Sequence, residues 1–194
     1  MSTVPTSDRK AQAKLISIFF LQKVSATNEA AWNTDKKIDG INFVSPSNNF
    51  TETVPDTSYI IGNNNIFREH VTIHPGTKVG IKKTIIGDNG FFMVGSHVAH
   101  DCLVGNNVVF VNNAVIGGHV EISDFVYLGG QSAVHQFCRI GKHAIIGAGT
   151  TIDGDVIPFT SVVGSRGYLS GLNLVGLKRR CFKKDEIKTL RNVY

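Results

Sequence analysis

The sequence predicts an all-β core wound as a triangular parallel β-helix, and two periodicities and a composition point there. Stepping by six from Ile86 meets Phe92, Val98, Val104, Phe110, Ile116, Ile122, Leu128, Val134, Ile140, Ile146 and Ile152, all large and apolar. At 42% hydrophobic composition such a run arises by chance about 3 times in 100,000. The fourth position after each of these is Gly90, Ser96, Cys102, Val108, Ala114, Val120, Val126, Ser132, Cys138, Ala144, Thr150 and Val156, none larger than valine. A helix repeats near 3.6 residues and a simple strand near 2, so neither explains a period of six. Three short strand-and-turn units close a coil of 18 residues, with large side chains filling the interior and small ones permitting tight corners.

Residues 59–158 form this β-helix. The register runs backward through Ile61, Phe67, Ile73 and Val79, and one extra residue before Ile86 predicts a loop or bulge at 80–83. Glycine follows the apolar residue at 87, 105, 117, 129, 141 and 147, where the turn is expected to need positive φ. Residues 1–58 carry no hexads and are expected to be a separate, non-repeat segment. Within them 9–26 fits an amphipathic helix and 45–49 a loop. The basic start and the apolar stretch 15–21 loosely resemble a targeting signal. Residues 159–194 are irregular, then turn helical from Lys183, with Ile187, Leu190 and Tyr194 on one apolar stripe.

Composition narrows the function classes. No apolar run approaches the roughly 18 residues of a membrane span. Three cysteines exclude a disulfide scaffold. Cys102 and Cys138 stand two coils apart, roughly 9.6 Å at the usual strand spacing, beyond disulfide reach. Both therefore read as small corner residues in a reducing, cytoplasmic setting. The net charge of +5 is local: the last 29 residues hold eight basic and two acidic side chains, against near balance elsewhere. Such a tail suits an anionic ligand or an acidic protein surface, not nucleic acid, which wants a broad basic face.

Coil arithmetic gathers the histidines. Residues 18 apart stack, so His100, Gly118 and Gln136 form one column and Asp101, His119 and Phe137 its neighbour. His135 adjoins Gln136, and His97 precedes His100 by three residues. Imidazole is suited to general-base work near neutral pH. A carboxylate can fix its tautomer, and a glycine leaves its N–H free as an oxyanion donor. These are the parts that acyl transfer to a hydroxyl requires. Three imidazoles, His97, His100 and His119, could instead bind zinc as in a hydratase, although no cysteine or carboxylate set supports them. His70, His74 and His143 read as polar edge residues.

Four segments bear a resemblance: Gly95-Ser-His-Val-Ala-His-Asp-Cys102, Ile116-Gly-Gly-His-Val120, Ser132-Ala-Val-His-Gln-Phe-Cys138 and Gly171-Leu-Asn-Leu-Val-Gly-Leu-Lys-Arg-Arg180. Together they resemble the acyl-carrier-protein–UDP-N-acetylglucosamine O-acyltransferases, hexapeptide-repeat enzymes of lipid A biosynthesis, over 59–194. The resemblance implies a left-handed helix, a homotrimer with intersubunit clefts, and no metal or other cofactor. It implies as partners acyl carrier protein and UDP-N-acetylglucosamine, whose 3-hydroxyl receives an (R)-3-hydroxyacyl chain. It makes His100 the base, Asp101 its orienter and Gly118 the oxyanion donor. His97, His119, His135 and Gln136 would line the substrate cleft, Asn173, Arg179 and Arg180 the nucleotide side, and Ala148 would bear on acyl length. Against the family pattern, Val175 replaces a glutamate, an Asp-Leu-Lys-Tyr substrate loop is missing, and terminal coils are absent. A chain shortened at both ends is therefore expected, active or reduced to a non-catalytic β-helix.

Overall fold

The computed structural model describes residues 57–194 and the backbone of Ile41–Phe43. Three parallel sheets form the sides of a prism. The first face runs from Ile41–Phe43 through Val71–Ile73, His97–Val98, Val115–Ile116 and Ala133–Val134 to Thr151–Ile152. The second holds Ser58–Ile61, Lys83–Ile86, Leu103–Val104, Glu121–Ile122 and Arg139–Ile140. The third holds Ile66–Phe67, Phe91–Phe92, Val109–Phe110, Tyr127–Leu128, Ile145–Ile146 and Thr160–Val163, edged by the antiparallel strand Tyr168–Leu172. His97 pairs with Val115, Val115 with Ala133 and Ala133 with Thr151, so the register is the predicted 18. The coil is left-handed.

From Phe91 to Ile152 each strand is two residues long because the prism turns every six. The second strand residue points inward, and all twelve hexad residues from Ile86 to Ile152 are buried. The small residue four later is buried too, giving two inward positions per hexad. Phe67, Phe92 and Phe110 continue the stack as rings 4.8 and 4.9 Å apart.

The positive-φ expectation is corrected. Left-handed residues occur three places after the hexad residue, at Asn89, Asp101, Asn107, Asn113, His119, Phe125, Gln131, Phe137 and His143, with φ between 55 and 65°. Gly95 and Gly149 occupy that place in two further corners. The glycines directly after the strands serve close approach instead. A Cβ on Gly129 would lie 2.6 Å from the Ala148 nitrogen of the next coil, leaving no room for one. Bulky left-handed residues are uncommon, and here their rings stack from coil to coil: His119 on Phe137 at 4.6 Å, and Phe125 on His143 at 4.8 Å.

Two further readings change. The early rungs pair at a spacing of 25, as in Ile61–Ile86, Phe67–Phe92 and Ile73–Val98, so seven residues beyond a coil are inserted between Ile73 and Lys83. Val79 is therefore no rung and stands 95% exposed on that loop. Ile41–Phe43 lies in the segment read as a non-repeat cap or disordered stretch, yet it pairs in parallel with Val71–Ile73. Three residues without flanking hexads leave no period to detect. The candidate helix at 9–26 and loop at 45–49 lie outside the described residues.

The third face continues to Thr160–Val163, and the chain then folds back over the corner that holds Phe125 and His143. Helix α1 (Leu174–Arg179) begins at Asn173, whose side chain accepts from the Gly176 N–H, and it fully buries Leu177. Helix α2 (Lys184–Val193) matches the expected helix: Ile187 is buried and the Tyr194 hydroxyl donates to the Pro158 carbonyl. His143, read as a polar edge residue, is buried between Phe125 and Phe159 with the edge of Phe182 against it. Burial depresses its imidazole to about 4, Arg180 and Lys142 adding to the effect and Asp124 opposing it.

Two outcomes follow from this packing. Phe110→Ala, which empties a fully buried ring position, is expected to cost about 3–5 kcal/mol in chemical denaturation. Because the unfolded imidazole titrates near 6.5, its contribution is complete above that pH and is lost as pH falls toward about 4. His143→Phe is expected to flatten the decline of melting temperature across this window; an unchanged slope would refute the assignment.

Candidate active site

The corner between the first and second faces holds the unusual chemistry. His100 and Asp101 follow the strand His97–Val98, and Asp101 takes the left-handed corner position at φ 58°. That turn folds its carboxylate back to its own neighbour, and Asp101 Oδ2 lies 2.9 Å from His100 Nδ1. The Asp101 side chain is 0% exposed and that of His100 38%. The carboxylate is thus internal, while the ring reaches solvent.

The inserted loop supplies the remaining donors to that carboxylate. The Thr77 N–H donates at 3.0 Å to Oδ1, the Lys82 N–H at 3.1 Å to Oδ1, and the Thr77 hydroxyl at 2.7 Å to Oδ2. Burial pushes the Asp101 carboxyl up, but the bonds from Thr77 and His100 outweigh it and hold the group below its usual range.

One coil on, Gly118 crosses the imidazole so closely that a Cβ there would lie 2.5 Å from Cε1 and 2.7 Å from Nε2 of His100. His100 and Gly118 therefore stack as predicted, and any side chain at 118 would displace the ring. Among the described residues the Gly118 N–H has no hydrogen-bond partner. His119 meets the His100 ring edge-on at 5.1 Å and stacks on Phe137, which is 64% exposed. The backbone closes the pair, the His119 N–H donating to the His100 carbonyl at 3.0 Å.

His97 lies on the adjoining strand, its Nδ1 2.7 Å from the Thr72 hydroxyl. His74, read from sequence as an edge residue, packs edge-on against His97 at 4.7 Å. Burial lowers both imidazoles; His100 adds to the effect at His74, and His74 adds to it at His97. His74 and Thr77 went unrecognised because the insertion breaks the 18-residue arithmetic. A spacing of 25 between Ile73 and Val98 is the signal that would have found them.

The other candidates lie elsewhere. His135 and Gln136 are exposed on the following coil, His135 Nδ1 3.1 Å from the Gln136 carbonyl oxygen. Ala148 is exposed at the corner between the third and first faces. Asn173 and Arg180 sit at the corner between the second and third faces. Asn173 is buried, donating to the His143 carbonyl at 2.9 Å while capping α1. Arg180 donates to the Phe125 carbonyl at 3.1 Å and lies over the Phe125 ring. Arg179 is exposed.

The donor set fits a metal poorly. His100, Asp101 and His119 offer ligand atoms within 4.8 Å of one another. Both Asp101 oxygens are already committed to Thr77, Lys82 and His100. His97 does not join the group, so the three-imidazole set expected from sequence does not form.

Fold and cluster together define the class, a left-handed hexapeptide-repeat β-helix with a histidine–carboxylate pair on one edge. Within that class the chain resembles the UDP-N-acetylglucosamine O-acyltransferases. A family model described as UDP-N-acetylglucosamine O-acyltransferase, domain 2, matches residues 155–194. The acyl-(acyl-carrier-protein)–UDP-N-acetylglucosamine O-acyltransferase of Paracoccus denitrificans is 57% identical over 133 residues, covering 69% of this chain and 51% of that protein. The solved UDP-N-acetylglucosamine acyltransferase of Campylobacter jejuni superposes with a TM-score of 0.67 at 44% identity, covering 69% of this chain and 53% of that one. The Bacteroides fragilis enzyme gives a TM-score of 0.74 at 31% identity, covering 80% and 60%. The chain spans about half the length of the curated relatives it matches. Among the described residues no helix is long and apolar enough to cross a membrane.

Asp101→Ala removes the acceptor for the Thr77 and Lys82 amides. Hydrogen exchange of both amides is expected to accelerate by about 10-fold or more, since a lost bond to a charged group is worth roughly 1.5–3 kcal/mol. His100→Ala is expected to leave them protected.

Proposed function

We propose that this chain transfers an acyl group from acyl carrier protein to UDP-N-acetylglucosamine, the reaction in the names of its relatives. One observation carries the reading: a buried carboxylate, an imidazole and an unused backbone N–H share a single small volume at one corner of the prism. With Nδ1 donating to Asp101, His100 keeps a basic Nε2. That atom accepts the proton of a sugar hydroxyl as its oxygen attacks the thioester carbonyl carbon. Asp101 holds the tautomer and stabilises the imidazolium that forms.

Charge develops on the carbonyl oxygen in the tetrahedral intermediate. The Gly118 N–H serves it there as a preorganised donor. Collapse expels the carrier thiolate, which takes back the proton from the imidazolium. The thioester already supplies the activated acyl group, so no cofactor enters the cycle.

The finer assignment is an (R)-3-hydroxyacyl chain, the glucosamine 3-hydroxyl and the first step of lipid A synthesis in the cytoplasm. His97, His119, His135 and Gln136 line the sugar side of the cleft, and Ala148 bears on acyl length. Arg179 meets the diphosphate together with the donors of Arg180 that Phe125 does not use. Asn173 acts there through the placement of α1. The His100 corner and the tail corner are different edges of one prism. A homotrimer, in which one copy's edge faces another's, brings them into one cleft, and the basic tail then meets the acidic carrier.

The test is an assay with acyl-carrier-protein thioester and UDP-N-acetylglucosamine. His100→Ala is expected to lower turnover by about 10²–10⁴-fold with melting temperature and native mass unchanged. Undiminished transfer by that variant would sink the reading. A wild-type trimer that binds the sugar nucleotide but turns nothing over would favour a non-catalytic β-helix.

A further inference from the structure

We infer that Thr77 is a positioning residue for the acyl transfer, fixing the Asp101 carboxylate so that His100 presents one tautomer; this rests on His100 being the base. Adjacent side chains such as 100 and 101 ordinarily diverge. Here the left-handed corner folds Asp101 back, which buries a charged carboxylate completely. A buried carboxylate persists only when donors surround it. The corner itself supplies one, His100, and the others come from the inserted loop.

The geometry of those bonds decides the role. Oδ2 is shared between the Thr77 hydroxyl at 2.7 Å and His100 Nδ1 at 2.9 Å. Oδ1 is held by the Thr77 and Lys82 amides at 3.0 and 3.1 Å, and the Thr77 N–H also reaches Oδ2 at 3.1 Å, which stops the carboxylate turning about its Cβ–Cγ bond. Gly80 closes the loop over the group, where a Cβ would stand 2.3 Å from the carboxyl carbon. The surplus chain of the coil between Ile73 and Val98 thus wraps the orienting acid. At the same corner one and two coils on, where no such loop lies, the residues are His119 and Phe137. Asp101, His74 and His119 are the titratable groups facing the His100 ring.

Removing only the hydroxyl separates positioning from folding. Thr77→Val is expected to reduce kcat by about 10- to 100-fold, the range for groups that orient a working side chain, with KM within about twofold. Thr77→Ser, which keeps the hydroxyl, is expected to recover most of it. In the substrate-free full-length protein, the His100 Nδ1 proton resonance is expected in wild type and Thr77→Ser and lost to exchange in Thr77→Val. Gly80→Ala, which displaces the carboxylate by another route, is expected to lose it too. A Thr77→Val protein with wild-type kcat and an intact Nδ1 signal would overturn the positioning role. If the signal vanishes while both Thr77→Val and His100→Ala retain full turnover, the base assignment itself falls, and the positioning role with it.

Discussion

Everything in this molecule depends on the 18-residue closure of the coil. Parallel backbone pairing brings His97, Val115, Ala133 and Thr151 into one ladder, and the same translation carries every corner with it. The interior enforces the register, because a slip by one residue would drive polar corner side chains into the column of Phe92, Phe110 and Leu128 and expose that column to water. Hydrophobic burial thus sets the vertical alignment of groups that never touch the core. His100 lies beneath Gly118 for the same reason that Val98 lies beneath Ile116.

The corners turn this regularity into sites. Each requires one residue in the left-handed region, and the sequence fills that place with asparagine, aspartate, histidine, glutamine or phenylalanine rather than glycine alone. Two of the columns so formed matter. One contains Asp101, His119 and Phe137 and carries the proposed chemistry. The other contains Phe125, His143 and Phe159, and its flat stack is the surface onto which Phe182 and Arg180 dock the tail. The same backbone device produces the edge of the proposed chemistry and a structural one, and the difference lies in which side chains stand there.

One departure from the repeat adjoins the corner of the proposed chemistry. The seven surplus residues between Ile73 and Lys83 leave the helical path and return as donors to Asp101. A regular coil would leave that carboxylate facing water, where Nδ1 of His100 would have to compete for it. Irregularity in an otherwise strict repeat is the local cost of holding a charge inside a corner.

Periodicity alone determined the prism, its inward residues and the stacking of His100, Asp101, Gly118 and His119, because a constant repeat converts numbering into position. It could not place residues on the far side of an insertion: His74 and Thr77 join the cluster only because the chain loops out and back, a path no spacing rule encodes. It misassigned the glycines, since Gly129 answers to a backbone in the next coil rather than to its own φ. It likewise read His143 as a polar edge group, because the tail that sets Phe182 against this ring lies some forty residues further on. Composition and spacing settle what a repeat imposes on itself; only the tertiary structure decides which groups the non-repeating chain covers, and covering is what fixes a carboxylate, tunes an imidazole and spends the side chains of Asn173 and Arg180 on holding the tail.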